Sequence, residues 1–166
     1  LEALVGKKLA DAVLQQAGAN GGASFARTFA GQTDDAQALR DCVAAYQAAG
    51  FGQFEIIDLQ WPFSSGQAAP TGRVLIRAHE AFEAWAAEQH GQTIESPDCA
   101  YSAGGLGGFV NVLAGRQDVV CIERACQAQG AEVCEFELLP ADAAGNVPVV
   151  ALARDPHSAS LGVGIE

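Results

Sequence analysis

Four of the five cysteines of this 166-residue chain fall in one stretch, Cys99 to Cys134, and their spacing restricts the folds that can hold them. Gly130 lies midway between Cys126 and Cys134, so a hairpin turning there sets the two cysteines opposite each other. Directly opposed residues on an antiparallel pair have Cβ atoms roughly 4.5–5.5 Å apart. Two thiolates at that separation can converge on one Zn²⁺ with Zn–S bonds of about 2.3 Å. Cys99, arriving just before a helix, supplies a third ligand and Glu123 a fourth. Glu123 and Cys126 are three apart and cannot share a face of a flat strand, because side chains alternate. They converge if the strand bends after Glu123, and the Arg124–Ala125 step is the expected place. Two other readings stay open on spacing alone: a Cys126–Cys134 disulfide, or cysteines packed simply as small apolar residues. Glu123 at a core-facing position counts against both, since an unpaired buried carboxylate is costly.

The length suits a single domain that buries its core without disulfide staples. Net charge is −11 and Lys and Arg form no cluster, which argues against nucleic acid or an anionic membrane as a direct partner. No apolar run reaches the roughly 18 residues of a spanning helix. The opening residues, LEALVGKKLADAVLQQ, lack a signal peptide's apolar core and cleavage site and read as an amphipathic helix. Clustered cysteines in odd number fit a reducing cytoplasm. The chain has no methionine, so the expectation is a processed or excised piece, with an effector domain elsewhere.

Taken in order, Leu1 to Ala17 places Leu4, Val5, Leu9, Ala12, Val13 and Gln16 at helical spacing, and Gly18 to Gly22 is expected to end that helix. Ala23 to Gly31 reads as a short strand or a helical turn. Thr33, Asp34 and Asp35 open a second helix that closes at Gly50, with Leu39, Cys42, Val43 and Tyr46 as its apolar stripe. Strands are expected over Phe51 to Trp61 and Arg73 to His79, separated by a loop. A helix over Glu80 to Gly91, with Phe82, Trp85 and Ala86 on one side, precedes the Cys99 helix. Two further strands span Asp118 to Ala125 and Val133 to Leu139. The order ααββααββ predicts an α+β fold, an antiparallel sheet with helices packed on it. The boundaries are a domain over 1–139 and an extension over 140–166, in which VPVVALA reads as one more strand before a tail.

Catalytic signals are weak. His79, His90 and His157 are scattered and none has a triad-like or metal-like spacing. The GGLGG run at Gly104 to Gly108 lacks the ending of a phosphate loop. Its Gly104 and Gly108 share one helix face, which suits close approach to another backbone. Glu80, Glu83 and Glu88 read as the solvated side of their helix. What remains is an apolar interior bordered by Phe51, Phe54, Trp61, Phe82, Trp85 and Phe109.

His79 to Ala84 (HEAFEA), Cys99, Gly104 to Gly108, Gly115-Arg116, Glu123 with Cys126, and Cys134 followed by an apolar strand form one series. In this series the chain resembles the 4-vinyl reductase, or predicted hydrocarbon-binding, domain family, over roughly Gly50 to Leu138. That family includes the sensory domains of activators that respond to phenols and toluenes. The resemblance implies a structural zinc held by Cys99, Glu123, Cys126 and Cys134. A loop one residue longer before Glu123 leaves Cys121 or a water as alternatives to it. It also implies a cavity between the sheet and the glycine-rich helix for a small apolar or aromatic ligand, with Phe51, Phe54, Trp61, Ala78, Phe82 and Phe109 around it. The tryptophan that phenol sensors use to hydrogen-bond their ligand falls at Ala78, which favours a bulkier or less polar molecule. The expected function is a cytoplasmic, homodimeric binding or sensing domain rather than an enzyme. The alternatives are reduction of a tetrapyrrole vinyl group, directly or as an accessory, and a scaffold without ligand.

Overall fold

The computed structural model describes residues 6–63, 72–91 and 99–144. Alternation of apolar and polar residues builds four strands: β1 (Gln53–Gln60), β2 (Arg73–His79), β3 (Val119–Ala125) and β4 (Cys134–Pro140). They form one sheet in the order β1-β2-β4-β3, with every neighbouring pair antiparallel. Register aligns Val74 with Leu138, Ile76 with Phe136 and Ala78 with Cys134, so one face carries a continuous buried apolar surface. The intervening residues point the other way, as period-two alternation requires. There Arg73 bridges Asp58 and Glu137, Arg124 meets Glu137 again, and Arg77 pairs with Glu135.

The helices are α1 (Lys7–Ala26), α2 (Asp35–Ala48), α3 (Phe82–Gln89) and α4 (Ala100–Leu113), giving an α+β fold. Asp34 caps α2 by accepting a hydrogen bond from the Gln37 N–H at 3.0 Å, which satisfies an amide left without an intrahelical partner. Leu39, Cys42, Val43 and Tyr46 of α2 are buried as their spacing predicts. At the centre lies α4, buried continuously from Ser102 to Val110 between α1 and β3.

Two expectations for the helices are overturned. Gly18 to Gly22 does not end the first helix; α1 runs through these glycines to Ala26. Glycine weakens a helix interior, but here it removes the side chains that would hold α1 and α4 apart. A Cβ on Gly18 would lie 2.1 Å from the Tyr101 carbonyl oxygen, and one on Gly22 2.2 Å from that of Gly105. Gly104 and Gly108 return the approach: their Cβ atoms would lie 2.1 Å from the Gln15 oxygen and 2.5 Å from the Ala19 oxygen. The buried face of α1 is therefore its small-residue face, Ala10, Gly18, Gly22 and Ala26, while Leu9 and Val13 of the apolar stripe stay exposed, with Leu14 beside them. In α3 the buried positions are Ala84 and Ala87, and Trp85 is exposed. Leu4, Val5, most of the β1–β2 loop, the strand read at VPVVALA and the tail fall outside the described residues.

Candidate metal centre and ligand cavity

Cys99 sits immediately before α4, Glu123 lies near the end of β3, Cys126 follows that strand, and Cys134 opens β4. One ligand atom from each lies within 4.8 Å of all the others. The β3–β4 register shifts between Glu123 and Ala125, so the strand breaks its alternation where Glu123 and Cys126 must turn to a common point. After Cys126 the chain makes a 3-10 turn over Gln127–Gln129 and closes at Gly130, whose φ of 88° is left-handed. Glycine adopts that conformation without steric cost. The turn predicted at Gly130 is present, but Cys126 lies just past the β3 ladder.

Cys99 Sγ stands 3.9 Å from Cys126 Sγ and 3.8 Å from Cys134 Sγ. These separations are far too long for a disulfide bond of about 2.05 Å, and all five cysteines are free. They match the edge of a tetrahedron of sulfurs around an ion at 2.3 Å, which is about 3.8 Å. Glu123 Oε2 accepts the Cys99 N–H at 2.9 Å, while Oε1 is buried without a hydrogen-bond partner among the described residues. The Gln127 N–H donates to Cys134 Sγ at 3.3 Å. The four residues can therefore hold a metal ion, which would give the orphaned oxygen a partner.

Electrostatics support the same use. Burial, followed by the charge of Cys126, raises the Glu123 carboxyl to about 8. Hydrogen bonding to Cys126 raises the Cys134 thiol to about 12, and hydrogen bonds to Cys126 and Cys134 drive Cys99 strongly upward. Four acidic groups crowded out of water keep their protons unless a cation replaces them. Cys121 stands apart from the four: it pairs with Leu138, packs beside Gly107, and burial pushes its thiol up. Cys42 is core, its thiol raised to about 12 by burial.

A partly open cavity of about 150 Å³ lies where α1, α2 and α4 meet. Its walls are Gly18, Gly21, Gly22 and Phe25 of α1, Tyr46 of α2, Ala49, Phe51, and Tyr101, Gly105 and Phe109 of α4. The absent side chains of the α1 glycines leave this space, and the rings define it. Phe51 stacks on Tyr46 with centroids 4.1 Å apart, and Phe109 meets Tyr46 edge-on at 5.6 Å. One polar group reaches this wall: the Tyr46 hydroxyl, 3.5 Å from the buried Ser102 Oγ. Burial drives the Tyr46 phenol upward, so it remains a neutral donor.

Of the aromatic set read from the sequence, Phe51 and Phe109 line this cavity. Phe54 is buried between Tyr46 and Phe136, Trp61 packs on Phe63, and Phe82 supports Phe51 and Tyr101 from behind. Ala78 is fully buried in the sheet, opposite Phe54 on one side and Cys134 on the other. Tyr46, Tyr101 and the α1 glycines escaped the sequence reading, although Gly18/Gly22 and Gly104/Gly108 share the same spacing of four. Glu83 is not a solvated residue: its carboxylate accepts the Tyr101 N–H at 2.7 Å and the Ser102 N–H at 2.9 Å, capping α4. His79 and His90 are exposed, and His157 lies outside the described residues.

Residues 79–140 match the family model of the 4-vinyl reductase domain. No curated protein matches the chain significantly. Among solved structures, the chain is similar to the phenol-responsive sensory domain of the transcription activator PoxR, crystallised with phenol. Identity is 18%, the TM-score is 0.74, and the match covers 84% of this chain and 69% of that one. At that identity the likeness establishes the fold. The resemblance to the 4-vinyl reductase domain family therefore holds over residues 79–140, a window that contains all four residues of the metal-competent cluster and the whole of α4.

Proposed function

We propose that this chain is a binding or sensing domain for a small apolar aromatic molecule, stapled by a structural zinc ion. The observation that carries the reading is the aromatic-walled cavity with a single hydroxyl at its edge. Ligand sites are typically apolar with few polar groups that fix orientation. A dry cavity of about 150 Å³ is enough to hold benzene in an engineered protein. The volume thus favours a single ring over a tetrapyrrole, and over the bulkier ligand that Ala78 led one to expect.

Zinc suits the cluster because three thiolates and one carboxylate oxygen form a closed tetrahedral set. With no open position the ion has no catalytic role; it ties β3 and β4 to the start of α4. The exposed stripe of Leu9, Val13 and Leu14 supports a homodimer contact through α1. Among the described residues no helix is long and apolar enough to cross a membrane, and a cytoplasmic setting would keep the cluster cysteines reduced.

Thermal unfolding in the presence of benzene, toluene, phenol, a long-chain fatty acid and a polycyclic hydrocarbon tests the ligand class. Single rings should raise the melting temperature, since a ligand at a hundred times its Kd stabilises by about 2.7 kcal/mol. Stabilisation by the fatty acid alone, or by none of the panel, refutes the reading.

A further inference from the structure

The metal-competent cluster and the cavity share one turn of helix. Cys99 contributes its Sγ to the cluster and its N–H to Glu123. Two residues later Tyr101 lines the cavity, and Ser102 meets the Tyr46 hydroxyl. That turn has no cap from its own chain neighbourhood: the N-cap residue is Cys99, whose side chain makes no capping bond. The N–H groups of Tyr101 and Ser102 are instead held by the two oxygens of Glu83, which projects from α3. A carboxylate at a helix N-terminus satisfies unpaired amides and complements the helix dipole.

We infer that Glu83 is a positioning residue that couples the metal centre to the cavity through the first turn of α4. This rests on the ligand and zinc reading above. With Glu83 in place the turn moves as one body, so a ring seated against Tyr101 and Tyr46 restrains Cys99 and Glu123 as well. Without Glu83, Tyr101 and Ser102 lose the bonds that fix them and the turn relaxes between the two sites. Coupling between sites is reciprocal and commonly amounts to a factor of 5–150.

The experiment uses the zinc-loaded protein and follows metal transfer to a chromogenic chelator, with and without saturating toluene. In the parent chain toluene should slow transfer about fivefold or more. In Glu83→Ala, with toluene binding verified by thermal shift, the rates with and without toluene should agree within about twofold. If Glu83→Ala does not fold, Glu83→Gln, which keeps one acceptor oxygen, should show the slowing reduced by at least half. A cobalt-loaded sample adds a spectroscopic check: toluene should shift the thiolate charge-transfer bands in the parent and leave them unmoved in the Glu83 variant. Equal slowing in parent and variant overturns the inference and leaves the ligand reading intact, as does toluene binding that never slows transfer. Failure of toluene, benzene and phenol to bind the parent removes both.

Discussion

Gly104→Ala and Gly105→Ala add the same methyl group at adjacent positions of α4, yet they should move stability in opposite directions. At Gly104 the new Cβ would stand 2.1 Å from the Gln15 carbonyl oxygen and 2.9 Å from the Ala19 nitrogen, both backbone atoms of α1. The closest comfortable carbon–oxygen approach is about 3.3 Å, so α1 and α4 must part by roughly 1 Å. No rotamer change relieves a contact between two backbones. Overpacking of this kind costs about 1–3 kcal/mol or more, against a gain of roughly 0.5–1 kcal/mol for replacing glycine in a helix. The net loss should be about 2 kcal/mol, which for a chain of this size lowers the melting temperature by roughly 4–8 °C. At Gly105 the nearest atom to the new Cβ is the Tyr46 hydroxyl oxygen at 3.6 Å, an ordinary contact across the cavity. The helix gain then stands alone, and Gly105→Ala should melt a few degrees above the parent while binding single rings more weakly. Thermal and urea unfolding followed by circular dichroism measure both variants. Melting temperatures within about 1 °C of each other, or a less stable Gly105→Ala, would refute the backbone-contact reasoning.

Undenatured protein should carry one zinc per chain by elemental analysis, and Cys126→Ser or strong chelation should lower the melting temperature markedly, because structural-site binding energy is folding energy. Ala78→Trp should destabilise by roughly 1–3 kcal/mol in urea unfolding, since Ala78 is fully buried between Phe54 and Cys134; a neutral result would show an unfilled space there. Hydrogen bonding to Arg73, together with Arg124, holds the Glu137 carboxyl below its usual range. A depressed acid contributes stability above its unfolded pKa of about 4.3 and loses it as pH falls through its lower folded value. Glu137→Gln should therefore cost a few tenths to about 1 kcal/mol near neutral pH and nothing in strong acid; an equal cost at both pH values would assign Glu137 a packing role.

Periodicity and turn chemistry made much of the framework legible in the sequence. β2 falls on Arg73–His79 as its alternation predicts, α2 begins at its Asp34 cap, and β3 and β4 lie within a residue or two of their expected bounds. The Cys99, Glu123, Cys126 and Cys134 set was legible because turn geometry at Gly130 is local, and a local turn fixes which side chains can meet. Contacts between elements distant in sequence were not. Gly18 to Gly22 looks like a helix end by propensity, and only the backbone of α4 lying against it makes glycine the residue that lets the helix continue. The same contact turns Leu9 and Val13 outward, although helical spacing alone assigns them a core face. Glu83 reads as a solvated charge until α3 is placed beside the open amides of α4. The cavity is decided in the same way. Its walls come from three helices and the loop after the second, and no single segment carries a pattern for it. Spacing along a chain specifies which residues share a face; which face meets which is settled only when the elements pack.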